Sequence, residues 1–195
     1  YLSKKARKML DDAGFTDAVI AASNDLGEFL INDLKIQGAA ITSWGVGTNL
    51  ITSKDCPSFG GVYKLAAIQN EEGEFIPKIK ISENVEKITN PGNKTIYRIY
   101  DKETGKMRAD LICFVDEKYD TSQDLLLFDP NATWKKTRLE GGTYTMKEIL
   151  KPVFIRGECK YQSPSVKEIA EFCRQEKDTL WDETKRLFNP HKVYV

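Results

Sequence analysis

The sequence predicts a mixed α/β chain. Parallel strands joined by crossover helices come first, an antiparallel, half-exposed sheet follows, and the carboxyl end returns to helix. Three observations predict this. Over residues 2–44 the apolar spacing alternates between helical and strand-like, in the order helix, strand, helix, strand with short connections. From Gly60 onward, short β-type segments are separated by turn residues too close together to leave room for crossover helices. Beyond residue 161 the helical period reappears behind Ser163-Pro164-Ser165. The expected divisions are therefore 1–60, 61–160 and 161–195.

Each element has its own reason. Leu2, Ala6, Met9, Leu10 and Ala13 share a helix face, and Gly14 supplies a left-handed stop. Ala18 to Ala22 is short, apolar and bounded by polar residues, as a strand buried on both faces would be. Ser23, Asn24 and Asp25 are helix-capping types, and Leu26, Phe29, Leu30 and Leu34 recur with helical period up to Gly38. Ala40 to Trp44 repeats the buried strand. In the second part, strands are expected at Val62 to Leu65, Pro77 to Ile81, Thr95 to Tyr100, Leu111 to Phe114, Leu125 to Phe128, Tyr144 to Met146 and Pro152 to Arg156. Turns are expected at Asn70 to Gly73, Pro91-Gly92 and Lys102 to Gly105. Val166, Ile169, Ala170 and Phe172 form one helix face, and Leu180-Trp181 with Leu187-Phe188 a second helical stretch. Both are expected to close over the sheet.

Composition narrows the function. Lys+Arg and Asp+Glu are each 29, which leaves no basic excess to hold a nucleic-acid backbone. Lys4, Lys5, Arg7 and Lys8 read as the solvated face of a helix. The four cysteines, Cys56, Cys113, Cys159 and Cys173, contain no C-x-x-C pair, which argues against a zinc or redox motif and fits a reduced, cytoplasmic setting. No run approaches the ~20 apolar residues that span a bilayer. The chain opens on Tyr1 within a helical pattern and closes on HKVYV, which reads as an unfinished strand, so part of a longer polypeptide is the expectation.

In parallel α/β architectures, open or closed, ligands sit beyond the carboxyl ends of the strands. The residues there are Ser23-Asn24-Asp25 and Gly45-Val46-Gly47-Thr48, so two loops should face one site. Gly45 and Gly47 would let backbone N–H groups approach a phosphate, and Thr48 would add a hydroxyl at a helix start. This is neither a Walker loop nor a dinucleotide fingerprint. Asn24 and Asp25 read first as the cap of the next helix, with grip on a ribose or metal as the alternative. His191 is the sole histidine and is assigned to a surface turn, so no serine or cysteine triad can be assembled. Lys78 and Lys80 are assigned to the solvated face of a strand, and Glu71-Glu72 and Asp101 to Glu103 to turns.

The runs SNDLGEFLINDL, WGVGTNLITSKDCPSFGGVYKL, PKIKISENVEKITNPGNKTIYRIYD and LFNPHKVYV, taken in order, resemble the carboxyl-terminal portion of nicotinate phosphoribosyltransferase almost end to end. The ordered set GVGT, GGVYKL, PKIKIS and NPGNK is more specific than any one piece. The resemblance implies a partial, irregular α/β barrel of the type II phosphoribosyltransferase kind, followed by an open-faced antiparallel sheet. It also implies a dimeric enzyme of NAD salvage that joins nicotinate to phosphoribosyl pyrophosphate, with ATP hydrolysis coupled and Mg2+ required.

On the same ground Gly45, Gly47 and Thr48 take the 5′-phosphate of the phosphoribosyl group, and Ser23 and Asn24 face the same moiety. The family's phosphorylated histidine, nicotinate grip and acidic stretch match nothing here, so no catalytic residue or metal ligand is assigned and the chain alone is expected to be inactive. Trp44 stands where a smaller aromatic is expected, and Cys56 has no implied role. The alternatives are a related nicotinamide or quinolinate phosphoribosyltransferase, or a structural segment serving assembly in which GVGT is only a turn.

Overall fold

A computed structural model of the chain describes residues 1–83, 88–130 and 132–191. The expected strand at HKVYV lies, from residue 192 on, outside the described residues, as do residues 84–87 of the quoted PKIKIS run. The chain forms two units, Tyr1–Val62 and Tyr63–Val195.

In the first unit, helix α1 (Leu2–Asp12) ends as its sequence dictates. Ala13 is the last right-handed residue, and Gly14 turns left-handed at φ +85°. Strand β1 (Ala21–Ser23) leads to helix α2 (Glu28–Ile36), then to strand β2 (Ser43–Gly45) and the short helix α3 (Thr48–Ile51). The strands β1 and β2 pair in parallel, with Ala21 opposite Ser43, Ala22 opposite Trp44 and Ser23 opposite Gly45. The expected alternation and parallel pairing are both present.

Three local expectations are corrected. The strands are three residues long rather than five and begin later, and they are not buried on both faces: Val19 is 66% exposed, and Leu26, at 4%, is the one buried residue among those described in this unit. Among the described residues no further strand pairs with β1 or β2, so little covers their faces. Helix α2 is capped by Gly27 rather than by Ser23, Asn24 or Asp25; Asn24 and Asp25 instead take left-handed conformations at φ 82° and 47°. The cationic cluster is also more than a solvated face. Arg7 donates to the carbonyls of Ala18 (2.5 Å) and Phe15 (2.6 Å) and pairs with Asp11, while Lys4 donates to the Gln37 carbonyl at the end of α2 (2.6 Å). Polar clamps hold this unit where a core does not.

Gly60 to Ala66, which runs from the end of the first unit into the second, forms no strand, and the GGVYKL run is largely exposed, with no ladder partner among the described residues. The first hairpin joins β3 (Ala67–Gln69) to β4 (Phe75–Pro77) across the predicted Asn70–Gly73 turn. That turn sets the register: Gly73 is left-handed, the N–H of Asn70 donates to the Glu74 carbonyl (2.9 Å), and the N–H of Glu74 donates to Asn70 Oδ1 (2.7 Å). The ladder therefore ends at Pro77, so Lys78 and Lys80 do not share a strand face; the N–H of Lys80 donates to Thr89 Oγ1 instead.

The main sheet is antiparallel, with β5 (Lys94–Asp101) between β6 (Met107–Phe114) and β9 (Tyr144–Glu148). A separate hairpin pairs β7 (Leu125–Asp129) with β8 (Ala132–Leu139). Strand β8 carries no period-2 apolar signal, because Trp134, Lys135, Lys136 and Arg138 are all exposed and only its ends, Ala132 and Leu139, are buried. Ile99, Ala109 and Tyr144 from the sheet meet Leu127 and Leu139 from the hairpin, and Ile99, Leu139 and Tyr144 are at most 2% exposed. Packing of this kind defines a core. A further hairpin, β10 (Phe154–Ile155) with β11 (Glu158–Cys159), stands in the region predicted to add a last strand.

Helix α4 (Val166–Asp178) has the predicted Ser165 cap, completed as a capping box by Glu168. Its apolar face is not closed over the sheet: Val166 is 83% exposed, and Ile169 and Phe172 are more than half exposed. The docking contacts are polar and lie at its other end. Arg98 holds Asp110 with two hydrogen bonds (2.9 and 3.0 Å) and Glu176 of the helix with a third (3.2 Å), and Tyr100 donates to the same carboxylate. Arg98 and Tyr100 lie on the face of β5 opposite Ile99, so strand alternation separates the core from the helix latch. Leu180 to Phe188 forms turns rather than a helix; the Trp181 indole N–H donates to the Met107 carbonyl (2.7 Å), which fixes the chain against β6.

Candidate phosphate-facing loops

The five residues singled out in the sequence, Ser23, Asn24, Gly45, Gly47 and Thr48, are all exposed and all lie at or just past the ends of β1 and β2. Their convergence has a simple origin. Parallel pairing puts the carboxyl ends of both strands on one edge, and the register sets Ser23 beside Gly45. The approach is close: a Cβ added at Gly45 would lie 3.1 Å from that of Ser23, tighter than side chains ordinarily pack. Gly47 differs, because a Cβ there would meet nothing within 4 Å. A methyl group at Gly45 would crowd the protein, whereas one at Gly47 would point into open space in front of the loop.

Gly47 is the N-cap of α3, and its carbonyl accepts the N–H groups of Leu50 (3.0 Å) and Ile51 (3.1 Å). Among the described residues the N–H groups of Gly47, Thr48 and Asn49 donate to no backbone acceptor, as expected for a first helical turn. The loop after β1 brings consecutive left-handed residues, Asn24 and Asp25, to the same edge. Side chains that can bond locally tolerate this conformation, but it still costs about 1–2 kcal/mol per residue.

Asn49 is the residue that pattern reading missed. From α3 its side-chain amide donates to the carbonyls of Asp25 (3.2 Å) and Leu26 (3.0 Å), bridging the two loops. The only signal in the sequence is a polar residue directly after GVGT, which is too common to stand out. Beyond this bridge, Asp25, Phe29, Leu50, Lys54 and Cys56 help line a concavity between α2 and the residues following α3. His191 lies apart from these loops in the sequence order of the second unit, beside Trp181, with its N–H on the Glu183 carbonyl (2.8 Å). Among the described residues no three His, Cys, Asp or Glu side chains are grouped to hold a metal ion.

A parallel strand pair whose carboxyl ends carry glycine-containing loops, followed in the chain by an antiparallel sheet and hairpins, defines a mixed α/β protein. The model of the nicotinate phosphoribosyltransferase C-terminal domain matches residues 93–195, and the chain belongs to that family. Nicotinate phosphoribosyltransferase of Bacillus subtilis is 43% identical over 195 residues, covering all of this chain and 39% of the relative. That of Dictyostelium discoideum is 34% identical over 213 residues, covering all of this chain and 35% of the relative. The crystal structure of human nicotinic acid phosphoribosyltransferase superposes with a TM-score of 0.61 over 97% of this chain and 32% of that one, at 20% identity, a likeness of fold. The chain thus spans about two-fifths or less of the length of these relatives.

Proposed function

We propose that this chain is the carboxyl-terminal part of a nicotinate phosphoribosyltransferase, whose complete polypeptide forms nicotinate mononucleotide and pyrophosphate from nicotinate and phosphoribosyl pyrophosphate. The observation that carries the reading is the 43% identity to the Bacillus subtilis enzyme across the whole of this chain. In this reading β1 and β2 belong to an α/β barrel completed by the rest of the polypeptide, and the enzyme is a cytoplasmic homodimer. Mg2+ and coupled ATP hydrolysis serve groups outside this chain.

The loops anchor rather than react. N–H groups of Gly47 and Thr48, with the hydroxyls of Thr48 and Ser23 and the Asn24 amide, would hold the 5′-phosphate as neutral donors. Such donors bind the same dianion in substrate and product alike. Fixing that end of the ribose aligns its anomeric carbon for displacement, a contribution of position rather than of acid or base.

The test is pyrophosphate release by the complete polypeptide with nicotinate. Gly47→Ala should weaken phosphoribosyl pyrophosphate binding by about tenfold, roughly 1.4 kcal/mol, because the added methyl meets no protein atom and stands in the open space before the loop. Equal affinity in variant and parent would remove the loop from the site. Preferential use of nicotinamide would refute the choice of base, and nicotinate-dependent pyrophosphate release by the 195-residue chain alone would refute the division of labour.

A further inference from the structure

The two loops proposed to share one phosphate come from different strand-helix units, and parallel pairing alone aligns only their last strand residues, Ser23 and Gly45. Past that point each is free to diverge. One side chain spans the gap. Asn49 Nδ2 donates to the Asp25 carbonyl (3.2 Å) and the Leu26 carbonyl (3.0 Å), and the residue's own carbonyl accepts the N–H of Lys54 (3.2 Å). Leu26 is the buried residue of the unit, so one end of the bridge rests on the most enclosed point available. The amide also lies against the N-cap of α2, where a Cβ added at Gly27 would be 3.5 Å from Nδ2.

We infer that Asn49 is a positioning residue: it sets the separation of the Ser23-Asn24 loop from the Gly45–Thr48 loop, and thereby the fit of both to a sugar 5′-phosphate. The inference rests on the phosphoribosyl-transfer reading above. Both of its partners are carbonyl oxygens, so only a donor can make the bridge. A carboxylate of the same shape presents acceptors to acceptors. Asn49→Asp therefore preserves volume and removes the function, whereas Asn49→Ala removes both. The left-handed pair Asn24-Asp25 is the segment that would relax when the bridge is lost, which carries the Asn24 amide away from the phosphate position.

The experiment is calorimetric binding of ribose 5-phosphate and, separately, of pyrophosphate to the complete polypeptide, as parent, Asn49→Asp and Asn49→Ala. Ribose 5-phosphate carries the group the loops would hold, and pyrophosphate does not. Loss of two hydrogen bonds should weaken ribose 5-phosphate by about tenfold in both variants, with pyrophosphate affinity unchanged. A merely structural role would lower both ligands together through the folded fraction, and that result overturns the inference. So does an Asn49→Asp variant that binds ribose 5-phosphate as the parent does. Failure of the parent to bind ribose 5-phosphate is seen without any variant and overturns the phosphoribosyl reading itself.

Discussion

The two units of the chain are held together by opposite means. The unit Tyr63–Val195 has a continuous apolar core in which Ile99, Leu139 and Tyr144 are almost fully enclosed, and its charged groups are arranged around that core. The unit Tyr1–Val62 buries one residue, Leu26, and relies on side chains that clamp backbone carbonyls: Arg7 on Phe15 and Ala18, Lys4 on Gln37, Asn49 on Asp25 and Leu26. Within residues 1–62 the loops after β1 and β2 are held by directional hydrogen bonds, which fix spacing, whereas the second unit is held by burial, which has no direction.

The largest effect is expected in the core of the second unit. Leu139→Ala should cost about 3 kcal/mol in urea unfolding followed by exchange of the β5 and β6 amides, since it empties a site that is 1% exposed. A loss below about 1 kcal/mol would mean that the hairpin β7–β8 contributes little and that the contrast between the units is overstated.

A smaller effect is expected from the clamp. Arg7→Ala frees two carbonyls and one carboxylate, and should speed exchange of amides around Ala18 to Ser23 by the equivalent of roughly 1–2 kcal/mol, with the β5 amides unaffected. Equal acceleration in both units would show that they open together.

The smallest effect is a pH dependence carried by three aspartates that accept backbone N–H groups. The Asp101 carboxylate is held below its ordinary value chiefly by the Thr104 N–H, Asp120 by the Ser122 N–H, and Asp124 by the Gly141 N–H and then Arg138. A depressed folded value means stability that is full above the ordinary aspartate value of 3.8 and is lost as pH falls through the lower folded value. Asp124→Asn should therefore narrow the stability difference between neutral and acid conditions. An unchanged difference would remove this turn from the acid response.

Much of this was legible in the chain. Helical spacing from Leu2, the Gly14 stop, the Ser165 cap and the Asn70–Gly73 turn are local codes, and each folds as it reads. The parallel pair followed from alternation, which places Ser23 and Gly45 at neighbouring strand ends. What was not legible depends on distant partners. Val62 to Leu65 has strand-like composition but no ladder neighbour among the described residues, and β8 is a strand despite its polar sequence because β7 pairs with it. Asn24 and Asp25 have the chemistry of caps and take left-handed turns, with Gly27 left as the cap.

The residues alone were therefore enough for the helix, strand, helix, strand order of the first unit, for several local stops and caps, and for the family. Only the tertiary structure decided which strands found partners, that α4 docks through Glu176 rather than through its apolar face, and that Asn49 bridges the loops. The reason is physical. Capping, turns and periodicity act within a few residues, whereas strand pairing, burial and a side chain's hydrogen-bond partners are set by groups that folding brings close from far along the chain.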